Sequence, residues 1–227
     1  MKAMLLAAGL GKRLRPITDT TPKPLLEVGG KSLIEHHLER LRLAGIKDVV
    51  INLHHLGDQI QLRLGDGARL GLKISYSIEA ELLETGGGIK KALPMLGDSP
   101  FLVISADTYL DFELGLLPKE LPPEMLGLLV MTNNPAHHPE GDYSPDKNSI
   151  LRFGGDLLTY TGTGMLHPDL VRSVPDSVFM LRQVFDEAVR AGRFLSLEHD
   201  GVWCDVGTAR RLRQLREQLG QSEQPSR

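Results

Sequence analysis

The chain has 227 residues, 41% of them apolar, enough to bury a full core in one unit of ordinary or slightly large size. Its formal net charge is -3 and its basic residues are spread along the length, which excludes nucleic acid as the expected partner. No stretch reaches the ~18 consecutive apolar residues of a membrane span, and no signal-peptide pattern precedes the first glycine-rich loop. The lone Cys204 excludes an intramolecular disulfide or a cysteine-based zinc cluster, so a cytoplasmic protein is expected.

In chain order, residues 2–8 read as a first strand. Ser32-Leu33-Ile34-Glu35 has the form of a capping box, apolar positions recur at Leu38, Leu41 and Ala44, and Gly45 supplies a stop, so a helix is predicted there. Residues 48–53 are a second strand, 56–64 a short helix, 72–78 an alternating strand, 87–96 a helix and 101–105 a fully buried strand. The second half predicts strands at 127–132, 149–153 and 159–166, a helix at 181–191, strands at 194–198 and 202–206, and a last helix at 208–219. Alternation of strands with helical patterns is the mark of βαβ units and a mostly parallel sheet. One domain over residues 1–220 is expected, with 221–227 a polar, disordered tail.

The strongest chemical signal is Ala7-Ala8-Gly9-Leu10-Gly11-Lys12-Arg13-Leu14-Arg15-Pro16-Ile17-Thr18, followed by Thr21-Pro22-Lys23-Pro24. Glycines let backbone N–H groups approach phosphate oxygens, and Arg13 and Arg15 can add charge-assisted contacts, so a triphosphate suits the loop. No Gly-Lys-Ser/Thr ending is present, and Leu14 stands where a dinucleotide fingerprint needs its third glycine. A plain tight turn is the alternative for Gly9 and Gly11 taken alone. Pro22 and Pro24 should hold Lys23 in a stiff extended segment that aims its ammonium.

Asp107 and Asp205 both follow predicted strands, where ligands of an open α/β sheet bind, and two such carboxylates can hold Mg²⁺ while triphosphate oxygens and water complete its shell. A turn or helix-capping role is the alternative for each. Residues 79–88, EAELLETGGG, offer Glu79 and the backbone around Gly86 to a flat base, or else form a glycine-rich helix start. The polar loop 133–145, with Asn134 and Asp142, suits a lip over a sugar phosphate; Thr161 and Gly162 offer a sugar contact or an ordinary strand with a bulge. His137 and His138, like His54 and His55, read as exposed loop histidines without a catalytic role.

Gly-x-Gly-x-Arg-x-x-Pro-x-Thr followed by Pro-Lys-Pro, together with Asp107 and the Trp203-x-Asp205-x-Gly207-Thr208 segment, resembles the signature of the sugar-1-phosphate nucleotidyltransferase family over nearly the whole chain. Ala106 departs from the glycine that many relatives have before the first aspartate. The resemblance implies an α/β, Rossmann-like nucleotidyltransferase fold, its mostly parallel central sheet flanked by helices, without a C-terminal β-helix domain. It further implies Gly9, Gly11 and Arg13 around the triphosphate, Lys23 between the reacting phosphates, and Mg²⁺ on Asp107 and Asp205. Ala8, Gly9, Glu79 and Gly86 would hold the nucleobase. Leu83-Glu84-Thr85-Gly86-Gly87-Gly88, Asn134-Pro135-Ala136-His137-His138 and Leu166-His167-Pro168 are similar to uridylyl-transferring members of peptidoglycan recycling, although Tyr143-Ser144-Pro145 departs from their pattern. UTP and a sugar 1-phosphate, N-acetylmuramate 1-phosphate, are then the implied substrates and pyrophosphate a product. Guanylyl transfer to mannose 1-phosphate, thymidylyl transfer to glucose 1-phosphate and a non-catalytic nucleotide-sensing domain remain alternatives. A monomer or small homo-oligomer is expected, with neither nucleic acid nor membrane as partner.

Overall fold

The computed structural model describes residues 1–220, so the expected tail at 221–227 lies outside the described residues. Strand β1, Ala3–Leu6, has Ala3, Met4 and Leu5 fully buried, which a strand covered on both faces requires. Helix α1, Leu33–Leu43, starts at the predicted capping box: Glu35 Oε2 accepts from the Ser32 N–H at 3.0 Å and from the Ser32 hydroxyl at 2.6 Å. Gly45 follows with φ of 76°, the left-handed turn that ends the helix. Strand β2 spans Asp48–Leu53, helix α2 Gly57–Leu64, strand β3 Lys73–Ile78, helix α3 Glu84–Leu96 and strand β4 Phe101–Ser105. Next come β5, Thr108–Leu110, β6, Gly127–Thr132, β7, Thr159–Leu166, α4, Leu181–Arg190, β8, Phe194–His199, β9, Trp203–Asp205, and α5, Ala209–Gln218.

Seven strands form one sheet in the order β8-β6-β7-β4-β1-β2-β3. The β1–β2, β1–β4, β2–β3 and β6–β8 pairings are parallel, while β7 runs antiparallel to both β4 and β6, so the sheet is mostly parallel as its apolar runs imply. Side-chain alternation along β1 divides the core: Ala3 and Leu5 pack with Leu38 and Leu41 of α1 and Ile60 and Leu64 of α2. Met4 faces the opposite side with Ile89 and Leu96 of α3 and Phe185 of α4. A smaller cluster joins Leu14, Leu26 and Val28 to Leu212 and Leu215 of α5, clamping the last helix onto the glycine-rich loop. No helix of the described residues is long and apolar enough to cross a membrane.

Most boundaries fall within a residue of expectation, and the larger differences are these. Ala7 and Ala8 leave β1 to become loop, and α3 starts at Glu84 rather than at residue 87. The predicted strand at 149–153 shrinks to Leu151–Arg152, paired with Ser144–Pro145. The predicted strand at 202–206 is β9, which leaves the main sheet to pair antiparallel with β5, a strand too short to show periodicity. That small ribbon sets Thr108 opposite Asp205, and the Val206 N–H donates to Asp107 O at 3.2 Å, so two segments about a hundred residues apart in sequence are fastened beside the end of β4.

Ser32→Ala is expected to destabilise the protein by about 1 kcal/mol, because one helix start loses its cap. Urea unfolding followed by circular dichroism measures the shift, and an unchanged midpoint would show that the cap contributes nothing.

Candidate active site

A cavity of about 460 Å³ opens at the C-terminal end of β1 and is lined by Ala8, Gly9, Gly11, Arg13, Lys23 and Asp107, with Lys12, Leu82, Glu84 and Thr85 also on its walls. Its size is that of a small-molecule site. Gly11 has φ of 62°, and a Cβ there would fall 2.8 Å from Thr18 Cγ2; the Thr18 hydroxyl donates to Gly11 O at 2.8 Å. The threonine of the motif therefore holds the bend that the glycine makes possible. Among the described residues, the N–H groups of Gly9, Leu10 and Gly11 are donated to no other group of the protein. Free N–H groups on a glycine loop at a strand end form an anion cradle.

Lys23 opens a short 3₁₀ turn, 23–25, rather than lying in the expected extended segment; only Pro22 before it is extended. The turn carries the side chain inward, where it is 8% exposed and its Nζ donates to Asp107 Oδ2 at 2.5 Å. An ammonium removed from water needs such a partner. Asp107 remains 41% exposed to the cavity.

Asp205 sits between the Arg211 guanidinium and the His137 ring. Its Oδ2 is 3.0 Å from Arg211 Nη2, and its Oδ1 is 2.8 Å from His137 Nε2, but neither contact has hydrogen-bond geometry, so the buried Oδ1 is left without a donor and Arg211 Nη2 without an acceptor. The last helix is capped by the Thr208 hydroxyl, which accepts from the Arg211 N–H at 3.3 Å, so Asp205 is not needed as its cap. Gly207 admits two guanidiniums: a Cβ there would lie 1.9 Å from Arg211 Nη2 and 3.2 Å from Arg13 Nη2. Burial, with the Asp205 carboxylate beside it, pushes the Cys204 thiol up to about 11, which keeps it from acting as a thiolate. An orphaned buried carboxylate oxygen on Asp205 and a cavity-facing Asp107 give the hard oxygen donors that Mg²⁺ takes one or two at a time alongside phosphate and water. The described residues hold no cluster of three or more acidic, histidine or cysteine side chains, so a cation caged by protein ligands alone does not fit.

The other expected contact residues are engaged within the protein. Glu79 is 3% exposed and both its oxygens are occupied, Oε1 by Asn52 Nδ2 at 2.7 Å and Oε2 by the Leu83 N–H at 3.1 Å. Asn52 passes this on to the loop by accepting from the Ala7 N–H at 2.9 Å, so Glu79 braces the cavity wall from behind without lining it. Gly86 packs instead of approaching a ligand: a Cβ would fall 2.3 Å from the Phe179 ring, and its N–H donates to Phe179 O. Gly87 and Gly88 are filled in the same way by Ser177 and by the Glu79–Asn52 pair. Asn134 closes its own loop, donating to the Pro139 and Leu157 carbonyls and accepting from Thr159. Asp142 accepts from the Tyr160 N–H and from Arg182. Thr161 is fully buried and donates to Val130 O, while Gly162, with φ of 84°, marks a register shift in β7 and packs on Ser105; the bulge reading is the one realised. Arg15 pairs with exposed Asp19 outside the cavity.

Three participants escaped the sequence. Lys12 is indistinguishable from any exposed lysine until the loop is seen to curl. Arg211 belongs to an arginine-rich helix start with nothing to single it out. His137, expected to be an idle loop residue, reaches Asp205 and stacks on Trp203 with centroids 6.5 Å apart.

Fold and site together define an α/β protein with a glycine loop, a buried lysine and Asp107 around one cavity at the C-terminal end of β1, and with Asp205 outside the lining but fastened beside the Asp107 turn. Residues 2–123 match the nucleotidyl transferase family, and the chain belongs to that family, among the sugar-1-phosphate nucleotidyltransferases. It is 45% identical over 222 residues to N-acetylmuramate alpha-1-phosphate uridylyltransferase of Neisseria meningitidis serogroup B, covering 94% of this chain and 96% of that one. It is 34% identical over 220 residues to the protein of the same name from Caulobacter vibrioides, covering 90% and 91%. A solved Bacillus anthracis structure assigned as a glucose-1-phosphate thymidylyltransferase superposes with a TM-score of 0.85 at 20% identity, over 100% of this chain and 98% of that one, a likeness of fold.

If Gly86 is a packing residue, Gly86→Ala lowers stability by about 1–3 kcal/mol through overpacking. Thermal unfolding with and without nucleotide checks it: unchanged stability with lost nucleotide affinity would restore Gly86 to the ligand.

Proposed function

We propose that the protein transfers a uridylyl group from UTP to N-acetylmuramate 1-phosphate, releasing pyrophosphate, with residues 1–220 acting as one unit in the cytoplasm and the product serving peptidoglycan recycling. The observation that carries the chemistry is the buried Lys23 ammonium at 2.5 Å from Asp107, facing the free N–H groups of the glycine loop across one cavity. Two relatives bearing the uridylyltransferase name, matched over almost their whole length, support the choice of base and sugar.

The acceptor brings a phosphate monoester oxygen that is already anionic, so no side chain has to remove a proton. That oxygen attacks the α-phosphorus in line, the bond to the bridging oxygen of the β-phosphate breaks, and pyrophosphate leaves with the electron pair. The obstacle is repulsion between two anions, and the cavity answers it with cations. Arg13 and Lys12 line the same cavity as the glycine loop, whose free N–H groups suit the leaving phosphates, and Lys23 on the same cavity supports a role between the acceptor and donor phosphates. When bound, Mg²⁺ held by Asp107 and Asp205 supplies further charge neutralisation on the triphosphate oxygens. Arg211, with Nη2 3.0 Å from Oδ2, sets a positive charge beside the Asp205 carboxylate. Positioning by fixed groups, rather than a covalent intermediate, is the source of rate.

Pyrophosphate release is measured with Mg²⁺ while UTP, dTTP, GTP and CTP are crossed against the 1-phosphates of N-acetylmuramate, glucose, mannose and N-acetylglucosamine. Turnover confined to UTP with N-acetylmuramate 1-phosphate is expected; another productive pair replaces the substrates and keeps the chemistry, and silence in every pair moves the protein to nucleotide sensing. Lys23→Ala should lower kcat by roughly 10²–10³ with the fold intact, the cost of losing one preorganised electrostatic group. Near-normal turnover in that variant would remove Lys23 from the reaction.

A further inference from the structure

We propose that His37, on α1 and outside the cavity, is a positioning residue that holds the Thr108 peptide and through it both Asp107 and Asp205. The inference rests on the reading of those two carboxylates as the cation-holding pair. His37 is fully buried, and its Nε2 lies 2.8 Å from Thr108 O. Its other ring nitrogen, Nδ1, faces Arg40 Nη2 at 2.5 Å. Arginine has no acceptor, so Nδ1 has to be the lone-pair nitrogen and Nε2 the donor to Thr108. Arg40 is itself fixed, with Nη1 donating to Phe112 O at 3.3 Å. The imidazole is thus locked in one tautomer and one orientation between a helix and the short strand β5. Burial first, and the adjacent guanidinium second, drive the pKa of His37 well below the usual histidine range, in keeping with a neutral ring.

Thr108 is the point at which fixing one peptide fixes two carboxylates. It follows Asp107 directly, and it is the cross-strand partner of Asp205 in the β5–β9 ribbon. Its hydroxyl donates to Ser105 O at 2.9 Å, tying β5 back to β4 across the Asp107 turn. Ala106 and Asp107 are therefore suspended between two anchored residues, Ser105 and Thr108. Without the His37 donor, Thr108 O would be a buried carbonyl lacking its partner, and β5 would be free to rotate toward another. The other ties of this three-residue ribbon, from the Val206 N–H to Asp107 O, the Asp111 N–H to Val202 O and the Trp203 indole to Thr161 O, leave Thr108 O with no donor besides His37 among the described residues.

The variants are chosen by geometry. Glutamine can place an amide nitrogen where Nε2 stands, whereas asparagine reaches only the position of Nδ1. The first readout is amide hydrogen exchange across residues 105–110 in the metal-free protein: His37→Gln should match wild type and His37→Asn should exchange faster. The second is the kinetic split: His37→Asn should lose roughly 10–100-fold in kcat with a comparable rise in the Mg²⁺ needed for half-activation, as for lost outer-shell partners, while KM for UTP stays near wild type because the glycine loop is untouched. His37→Gln should restore both values. A folded His37→Asn protein with wild-type exchange and kcat, or glutamine and asparagine failing equally, overturns the proposal. Should His37→Asn not fold, nitrogen-15 spectra of the wild-type imidazole decide: an Nε2–H tautomer is expected, and an Nδ1–H or doubly protonated ring overturns it. If wild-type protein releases no pyrophosphate, the proposed reaction fails on its own, and hydrogen exchange still decides the role of His37.

Discussion

A lysine ammonium cannot be taken out of water without a compensating anion, and the pairing of Lys23 with Asp107 satisfies that constraint at the centre of this molecule. The two residues come from opposite ends of the first half of the chain, one from the turn after the glycine loop and the other from the end of β4. Joining them draws the loop over the C-terminal edge of the sheet and leaves a cavity beneath it. Much of the surrounding polar structure can be understood as support for that geometry: Thr18 under Gly11, Asn52 and Glu79 behind Ala7, and Arg211 and the β5–β9 ribbon around Asp205.

The support has a layered character. Thr18 donates to Gly11 O, and Asn52, itself donating to Glu79, accepts from the Ala7 N–H, so the loop is held by polar residues that are themselves buried in the protein. Such networks are stabilising when complete and costly when one member is missing, because the orphaned partner stays buried. Substitutions behind the cavity are therefore expected to act on activity through geometry, with binding of the triphosphate less affected.

The parallel half of the sheet was legible because its strands are continuous apolar runs and its helices carry ordinary start and stop signals, as Ser32, Glu35 and Gly45 illustrate. The glycine loop was legible because motif and chemistry coincide at Gly9, Gly11, Arg13, Lys23 and Asp107, which the fold gathers around one cavity. The polar residues of the second half were not. Asn134, Asp142 and Thr161 offer the same donors and acceptors whether they brace a loop or meet a sugar, and nothing local in a sequence separates the two uses. Glu79 and Gly86 are ambiguous for a related reason. A carboxylate and a glycine near a helix start suit base recognition, yet the close approach of α3 to Asn52 and Phe179 uses both for packing. β5 escaped notice because three residues show no period, and its partner β9 lies almost a hundred residues away.

Trp203 is the only tryptophan in the chain, and it stands two residues from Asp205 with the His137 ring stacked against it and its indole N–H donated to Thr161 O. The tryptophan fluorescence of the protein thus comes from a single indole placed between the polar loop and the strand that carries Asp205. Any rearrangement of that loop changes the polarity and quenching around one indole, so ligand-driven movement has an optical signal free of background from other tryptophans and needing no attached dye.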